Sequence, residues 1–170
     1  MPLARSLGSD QPFYGLQSVG LYGEHEPYET IEEMAAHYIE AARIVQPQGP
    51  YQLGGWSQGG VIAFEMAQQL QCQGQEVSLL ALIDADVPDN SEELPDFDQE
   101  ALALIQVILR EAGGLLDIQI IPGTHLTIVT EPQVHYLAEQ LNVYLFSAVL
   151  YQRVETVKYE ETPWFHRLSA

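Results

Sequence analysis

Apolar positions in the first half of the chain alternate between helix-period stripes and short continuous runs. Ile31, Met34, Ala35, Tyr38, Ile39 and Ala42 recur at three- and four-residue intervals, the spacing of one buried helical face. Thr30 opens that helix, and Glu33 three residues on completes a capping box. Pro47-Gln48-Gly49-Pro50 stops it and turns the chain. A second stripe, Ile62, Ala63, Met66, Ala67 and Leu70, is closed by Gly74. Between and around the stripes lie three strand candidates: Phe13 to Val19, bounded by Pro12 and Gly20; Tyr51 to Trp56; and Val77 to Ile83. The last is apolar at nearly every position, as a strand covered on both faces must be. Strand, helix, strand, helix, strand predicts an α/β domain, a mostly parallel sheet flanked by helices.

After Asp84 the pattern changes. Residues 84–100 hold eight acids and no base, which reads as an exposed loop. Ala101, Leu104, Ile105, Ile108 and Leu109 then fit a helix ended by Gly113-Gly114. Ile118 to Ile121 is a strand candidate, followed by the turn Pro122-Gly123-Thr124. Thr130 with Gln133 caps a last helix, striped by Val134, Leu137, Ala138, Leu141 and Leu145. From Tyr151 to Ala170 three bases balance three acids, a compositional break from the rest. Val154 to Tyr159 reads either as an edge strand or as disordered chain.

Composition narrows the function classes. The 170 residues, 46% of them hydrophobic, suffice for one domain with a real core. Six Lys plus Arg against 24 Asp plus Glu give a net charge of −18, so no basic patch exists to neutralise phosphates. Nucleic acid and anionic membrane surfaces are thereby excluded as expected partners. No apolar run reaches membrane-span length, and Met1-Pro2-Leu3-Ala4-Arg5 lacks a signal-peptide core. The single Cys72 fits a reducing compartment, and the expected location is cytoplasmic. No paired Cys or His spacing suggests zinc, no glycine loop with a following Lys suggests a phosphate cradle, and Asp84, Asp86 and Asp89 lack the spacing of a calcium loop. Neither a cofactor nor a metal is expected.

The chemistry-bearing candidate is Gly55-Trp56-Ser57-Gln58-Gly59, a Gly-x-Ser-x-Gly sequence set between a predicted strand and a predicted helix. There the turn is so tight that serine takes strained backbone angles and its hydroxyl projects above the sheet at a helix N-terminus. The Gln58 backbone N–H becomes the candidate oxyanion donor. The alternative is a glycine-rich turn without chemistry. A nucleophilic serine needs a base, and the base an orienting acid. Asp84 ends the apolar strand beside the elbow; Asp86, further into the loop, reads as a solvated carboxylate. His125, in the turn after Ile118 to Ile121, sits where a base can reach the sheet edge. His25 breaks the chain order Ser, acid, His. His37 and His135 lie just off helical stripes, and His166 falls in the tail.

These residues, together with Gln11 to Gln17, Gly49 to Ala67 and Pro122-Gly123-Thr124-His125, resemble the thioesterase domains that end nonribosomal peptide synthetases and polyketide synthases. The resemblance runs from the start to about Leu141 and implies an α/β-hydrolase fold. It also implies a Ser-Asp-His triad, matched by Ser57, Asp84 and His125. The implied reaction moves an acyl or peptidyl chain from the phosphopantetheine arm of a carrier protein to the serine, then releases it to water or an internal nucleophile. The expected organisation is a partial thioesterase domain over 1–146, with 87–115 as a reduced lid, and an unassigned tail over 147–170. The family's further N-terminal strands and glycine-rich oxyanion loop have no counterpart in this sequence, and only 40 residues separate Asp84 from His125, so the expectation is a truncated α/β-hydrolase. The alternative to an enzyme is a catalytically impaired remnant that binds a carrier protein or self-associates through exposed sheet edges. Family carrier proteins are acidic, so docking to this acidic chain is expected to be apolar.

Overall fold

The computed structural model describes residues 2–9, 12–23, 26–85, 102–109 and 115–160. Among these residues the elements follow in the order α1 (Pro2–Leu7), α2 (Ile31–Val45), β1 (Tyr51–Trp56), α3 (Gln58–Cys72), β2 (Val77–Ile83), β3 (Leu102–Leu109), β4 (Leu115–Pro122) and α4 (Gln133–Glu160). The strands form one sheet in the order β1-β2-β3-β4.

The β2 strand is the spine of this arrangement. Leu79, Ala81 and Ile83 point to one face, where they pack with Leu3 and Leu7 of α1 and with Val134, Leu137, Ala138, Leu141 and Tyr144 of α4. Leu80 and Leu82 point to the other face and pack with Ala35, Tyr38 and Ile39 of α2 and with Ala63, Met66, Ala67 and Leu70 of α3. Its near-continuous apolar sequence is the direct result of burial on both faces. Most residues of the helix stripes read from the sequence lie in these two clusters, with Met34, Ile62 and Leu145 partly buried against them; Ile31 and Ala42 lie outside both. Thr30 caps α2 as expected, its hydroxyl accepting the Glu33 N–H at 3.2 Å.

The α/β class holds, with a correction to strand direction. Only β1 and β2 run parallel; β2–β3 and β3–β4 are antiparallel. The cause is a second correction. The sequence Leu102 to Leu109 was expected as a lid helix and instead forms β3, pairing Leu79 to Ile83 on one side and β4 on the other. Leu-Ala-Leu-Ile-Gln-Val-Ile-Leu is apolar at almost every position, so its residues match a helical spacing and a buried strand equally well. Partners decide such a case. The β4 strand follows closely enough to fold back as an antiparallel neighbour, with Leu109 opposite Leu115. Of the expected lid, 87–101 and 110–114, the latter including Gly113-Gly114, lie outside the described residues.

Two further expectations change. Phe13 to Val19 forms no strand; Phe13, Tyr14 and Leu16 are exposed, and only Val19 packs partly against the α2–α3 face. A local pattern names a sticky segment but cannot supply its ladder partner. At the other end α4 continues to Glu160, through the expected boundary at 147 and through Val154 to Tyr159, which is helical. The sequence stripe ends at Leu145, whereas Gln152, Arg153, Glu155 and Lys158 are residues of good helix propensity that let the helix continue. Residues 161–170 lie outside the described residues.

Candidate active site

The site is built at the carboxyl end of the parallel pair. Trp56 ends β1 opposite Ile83, which ends β2. One residue further on, the Ser57 N–H donates to the Ile83 carbonyl at 3.0 Å, so the ladder continues one step past both strands. Ser57 and Asp84 therefore leave the sheet side by side. Both have positive φ, 54° and 46°, the two non-glycine residues with this backbone among those described. Asp tolerates the left-handed region through its short polar side chain. Ser57, with ψ at −129°, lies outside the ordinary left-handed well, the strain expected of a strand-to-helix elbow.

Two glycines make the elbow possible, and they are not both those of the Gly-x-Ser-x-Gly pattern. A Cβ on Gly55 would lie 2.0 Å from the Gly59 carbonyl oxygen, and one on Gly60 would lie 2.4 Å from the Ala85 Cβ. A Cβ on Gly59 would meet nothing within 4 Å. The steric demand thus falls on Gly55 and Gly60, where α3 crosses back over the end of β1. Gln58 opens α3 immediately after Ser57, so its backbone N–H stands among the unpaired donors of a helix N-terminus.

His125 arrives from the turn after β4. That turn is fastened by Thr127, whose hydroxyl accepts the Thr124 N–H at 2.8 Å. The N–H groups of Thr127 and Ile128 return to the Thr124 carbonyl, and Ile128 is fully buried. From this anchored base the His125 ring reaches Asp84, Nδ1 to Oδ2 at 2.5 Å, across 41 residues of sequence. The Asp84 side chain is 24% exposed and that of His125 is 45% exposed, so the pair is open to solvent on the His side. A carboxylate at Nδ1 fixes the tautomer with the proton on Nδ1 and leaves Nε2 as the free acceptor. Trp56 completes the arrangement: its Nε1–H donates to the His125 carbonyl at 3.0 Å, and the two rings lie 4.9 Å apart at 31°. Among the described residues no hydrogen bond joins the Ser57 hydroxyl to the imidazole.

The structure thus brings Asp84 and His125 together at the end of β2, and Ser57 and Gln58 follow the adjacent end of β1. His37 instead lies beside Tyr28 and Tyr38, and His135 accepts or donates a 3.3 Å hydrogen bond with Ser6 on the α1–α4 surface. His25, Asp86, Asp89 and His166 lie outside the described residues. No cluster of His, Cys, Asp and Glu that would hold a metal occurs among the described residues. No helix of the described residues is long and apolar enough to cross a membrane. Gly60, which flanks the pentapeptide, and Trp56, which lies within it, carry in the sequence no sign of their contacts with Ala85 and His125.

An α/β sheet whose strand β1 turns through a strained serine into a helix is of the α/β-hydrolase type. The thioesterase domain family model matches residues 1–115, and the chain belongs to that family. It is 46% identical over 106 residues to the dimodular nonribosomal peptide synthase of Bacillus subtilis (strain 168), a stretch covering 61% of this chain and 4% of that protein. It is 45% identical over 85 residues to polyketide synthase PksR of the same organism, covering 50% of this chain and 3% of the relative. The chain therefore spans a small fraction of the length of the relatives it matches. Among solved structures, the NocB thioesterase domain from the nocardicin cluster is 46% identical over 39% of this chain and 30% of its own, with a TM-score of 0.38.

Proposed function

We propose that this domain releases an acyl or peptidyl chain from the phosphopantetheine thioester of a carrier protein through a Ser57–His125–Asp84 acyl-enzyme mechanism. The observation that carries the reading is the 2.5 Å contact of His125 with Asp84 at the strand end that also presents Ser57. In the first half-reaction His125 Nε2 takes the Ser57 proton as Oγ attacks the thioester carbonyl. The Gln58 N–H donates to the oxyanion. Collapse expels the pantetheine thiolate, which takes the proton from His125. In the second half-reaction water, or a nucleophile within the chain being released, gives its proton to Nε2 and attacks the acyl-serine. The same proton then returns to Ser57. Asp84 holds the ring and stabilises the imidazolium at each stage. Catalytic hydrogen bonds are often unmade before substrate binds, so the open step between hydroxyl and imidazole is compatible with this cycle.

The partner of this reading is an acyl or peptidyl carrier protein, and its substrate arrives covalently attached. Turnover of a carrier-loaded acyl thioester, set against turnover of a simple ester of the same acid, tests it. Preference for the carrier-bound thioester supports the proposal, and equal turnover of both points to an ordinary carboxylesterase. A second reading, a catalytically impaired module that only binds the carrier, is favoured by the missing hydroxyl–imidazole bond and predicts carrier binding without turnover.

A further inference from the structure

Trp56 makes two different contacts with one residue. Its indole N–H donates to the main-chain carbonyl of His125, and its ring lies tilted against the imidazole. It is also partly buried against the core cluster that includes residues of β2, α1 and α4. Trp56 is also covalently next to Ser57. The side chain of the residue just before Ser57 therefore reaches the turn bearing the ring, 69 residues later in sequence. Nothing else described joins those two points directly: Asp84 holds the imidazole by its edge, and the Thr124–Thr127 bonds hold the turn to itself.

We infer that Trp56 is a positioning residue, whose indole N–H holds the main chain of the His125 turn so that the imidazole stays at a fixed distance from Ser57. The inference rests on the triad reading above and adds to it what sets the third side of the triangle. Asp84 fixes one edge of the ring but leaves the ring free to pivot about that contact. A second point of attachment, at the carbonyl of the same residue, removes the pivot. The two contacts are separable. The ring stack needs only an aromatic face, whereas the main-chain tether needs the N–H.

The test replaces Trp56 by 3-benzothienylalanine, which keeps the bicyclic shape and its packing but has sulfur in place of the N–H. Trp56→Phe serves as a second variant that keeps a ring and lacks the donor. Two readouts are taken on the full chain. The first is the kinetics of fluorophosphonate labelling of Ser57, split into the reversible binding constant and the covalent rate. The second is the downfield NMR resonance of the His125 Nδ1 proton against Asp84. Loss of one neutral hydrogen bond predicts a covalent rate lower by about tenfold. The binding constant of the isostere should stay at the parent's value, its melting temperature should fall by no more than about 2–4 °C, and the Nδ1 resonance should broaden. An unchanged covalent rate and an unchanged resonance in the isostere would overturn the positioning role. If the parent itself is not labelled at Ser57, the triad reading fails, and the resonance alone decides whether Trp56 positions the ring: broadening in the isostere supports it, an unaltered line refutes it.

Discussion

Ser57 and Asp84 occupy equivalent positions, each the first residue past the end of two parallel neighbouring strands, and each with positive φ. The shared geometry has one source. The Ser57 N–H bonds to the Ile83 carbonyl, so the residue that turns into α3 and the residue that leaves β2 depart together from the same rung. The serine and the carboxylate that the proposed mechanism requires are thereby held next to each other by backbone alone, before either side chain is considered.

The elbow predicts an order among its glycines. Gly59→Ala, where a Cβ meets open space, is expected to keep labelling by a serine-directed fluorophosphonate near the parent rate. Gly55→Ala and Gly60→Ala force backbone to move, and both should lose soluble folded protein or labelling. Thermal melts alongside labelling check this. Equal damage at Gly59 and Gly60 would contradict the geometry.

Asp84→Asn keeps the shape of the side chain while removing the charge that holds the Nδ1 proton. Ring orientation survives, but the preferred tautomer is wrong for a base at Nε2. A fall in Ser57 labelling or thioester turnover of about 10³–10⁴-fold is expected, by analogy with the same change in serine proteases. A fall of less than tenfold would show that Asp84 does not orient the base.

Leu137 is fully buried where α4 meets the β2 face, and Leu82 is 1% exposed on the opposite face. Leu137→Ala and Leu82→Ala should each destabilise the domain by about 2–5 kcal/mol, measured by urea unfolding. Because they empty different clusters, their effects should add. Strong non-additivity would argue against two independent packed faces.

The net charge of −18 bears on docking. An acidic carrier protein repels this chain at long range, so added salt should screen the repulsion and strengthen binding. Titration of a carrier protein at two ionic strengths measures it. Binding that weakens as salt rises would mean that opposite charges form the contact.

Much of this architecture is legible in the residues themselves, for identifiable reasons. The α2 capping box and the α3 stripe each carry a pattern that only one element satisfies, and the apolar run of β2 is short and bounded by Gly74 and Asp84, as a buried strand is. Leu102 to Leu109 carries a pattern that two elements satisfy, and pairing with β2 and β4 chose between them. Phe13 to Val19 has strand composition but no ladder, because ladders are made by partners distant in sequence. At the site, Ser57, Asp84 and His125 each stand out by type and by position at an element end. Trp56 does not, since a tryptophan closing a strand ordinarily means packing, and its tie to His125 exists only once β4 has brought that turn across.

The most direct test of the account is mass-spectrometric mapping of fluorophosphonate labelling on the folded chain and on its Ser57→Ala and His125→Ala variants. The account predicts a single adduct on Ser57 in the parent, none at that position in Ser57→Ala, and slowing by several orders of magnitude in His125→Ala. A folded parent that takes no label, or one labelled just as fast without the imidazole, would contradict it.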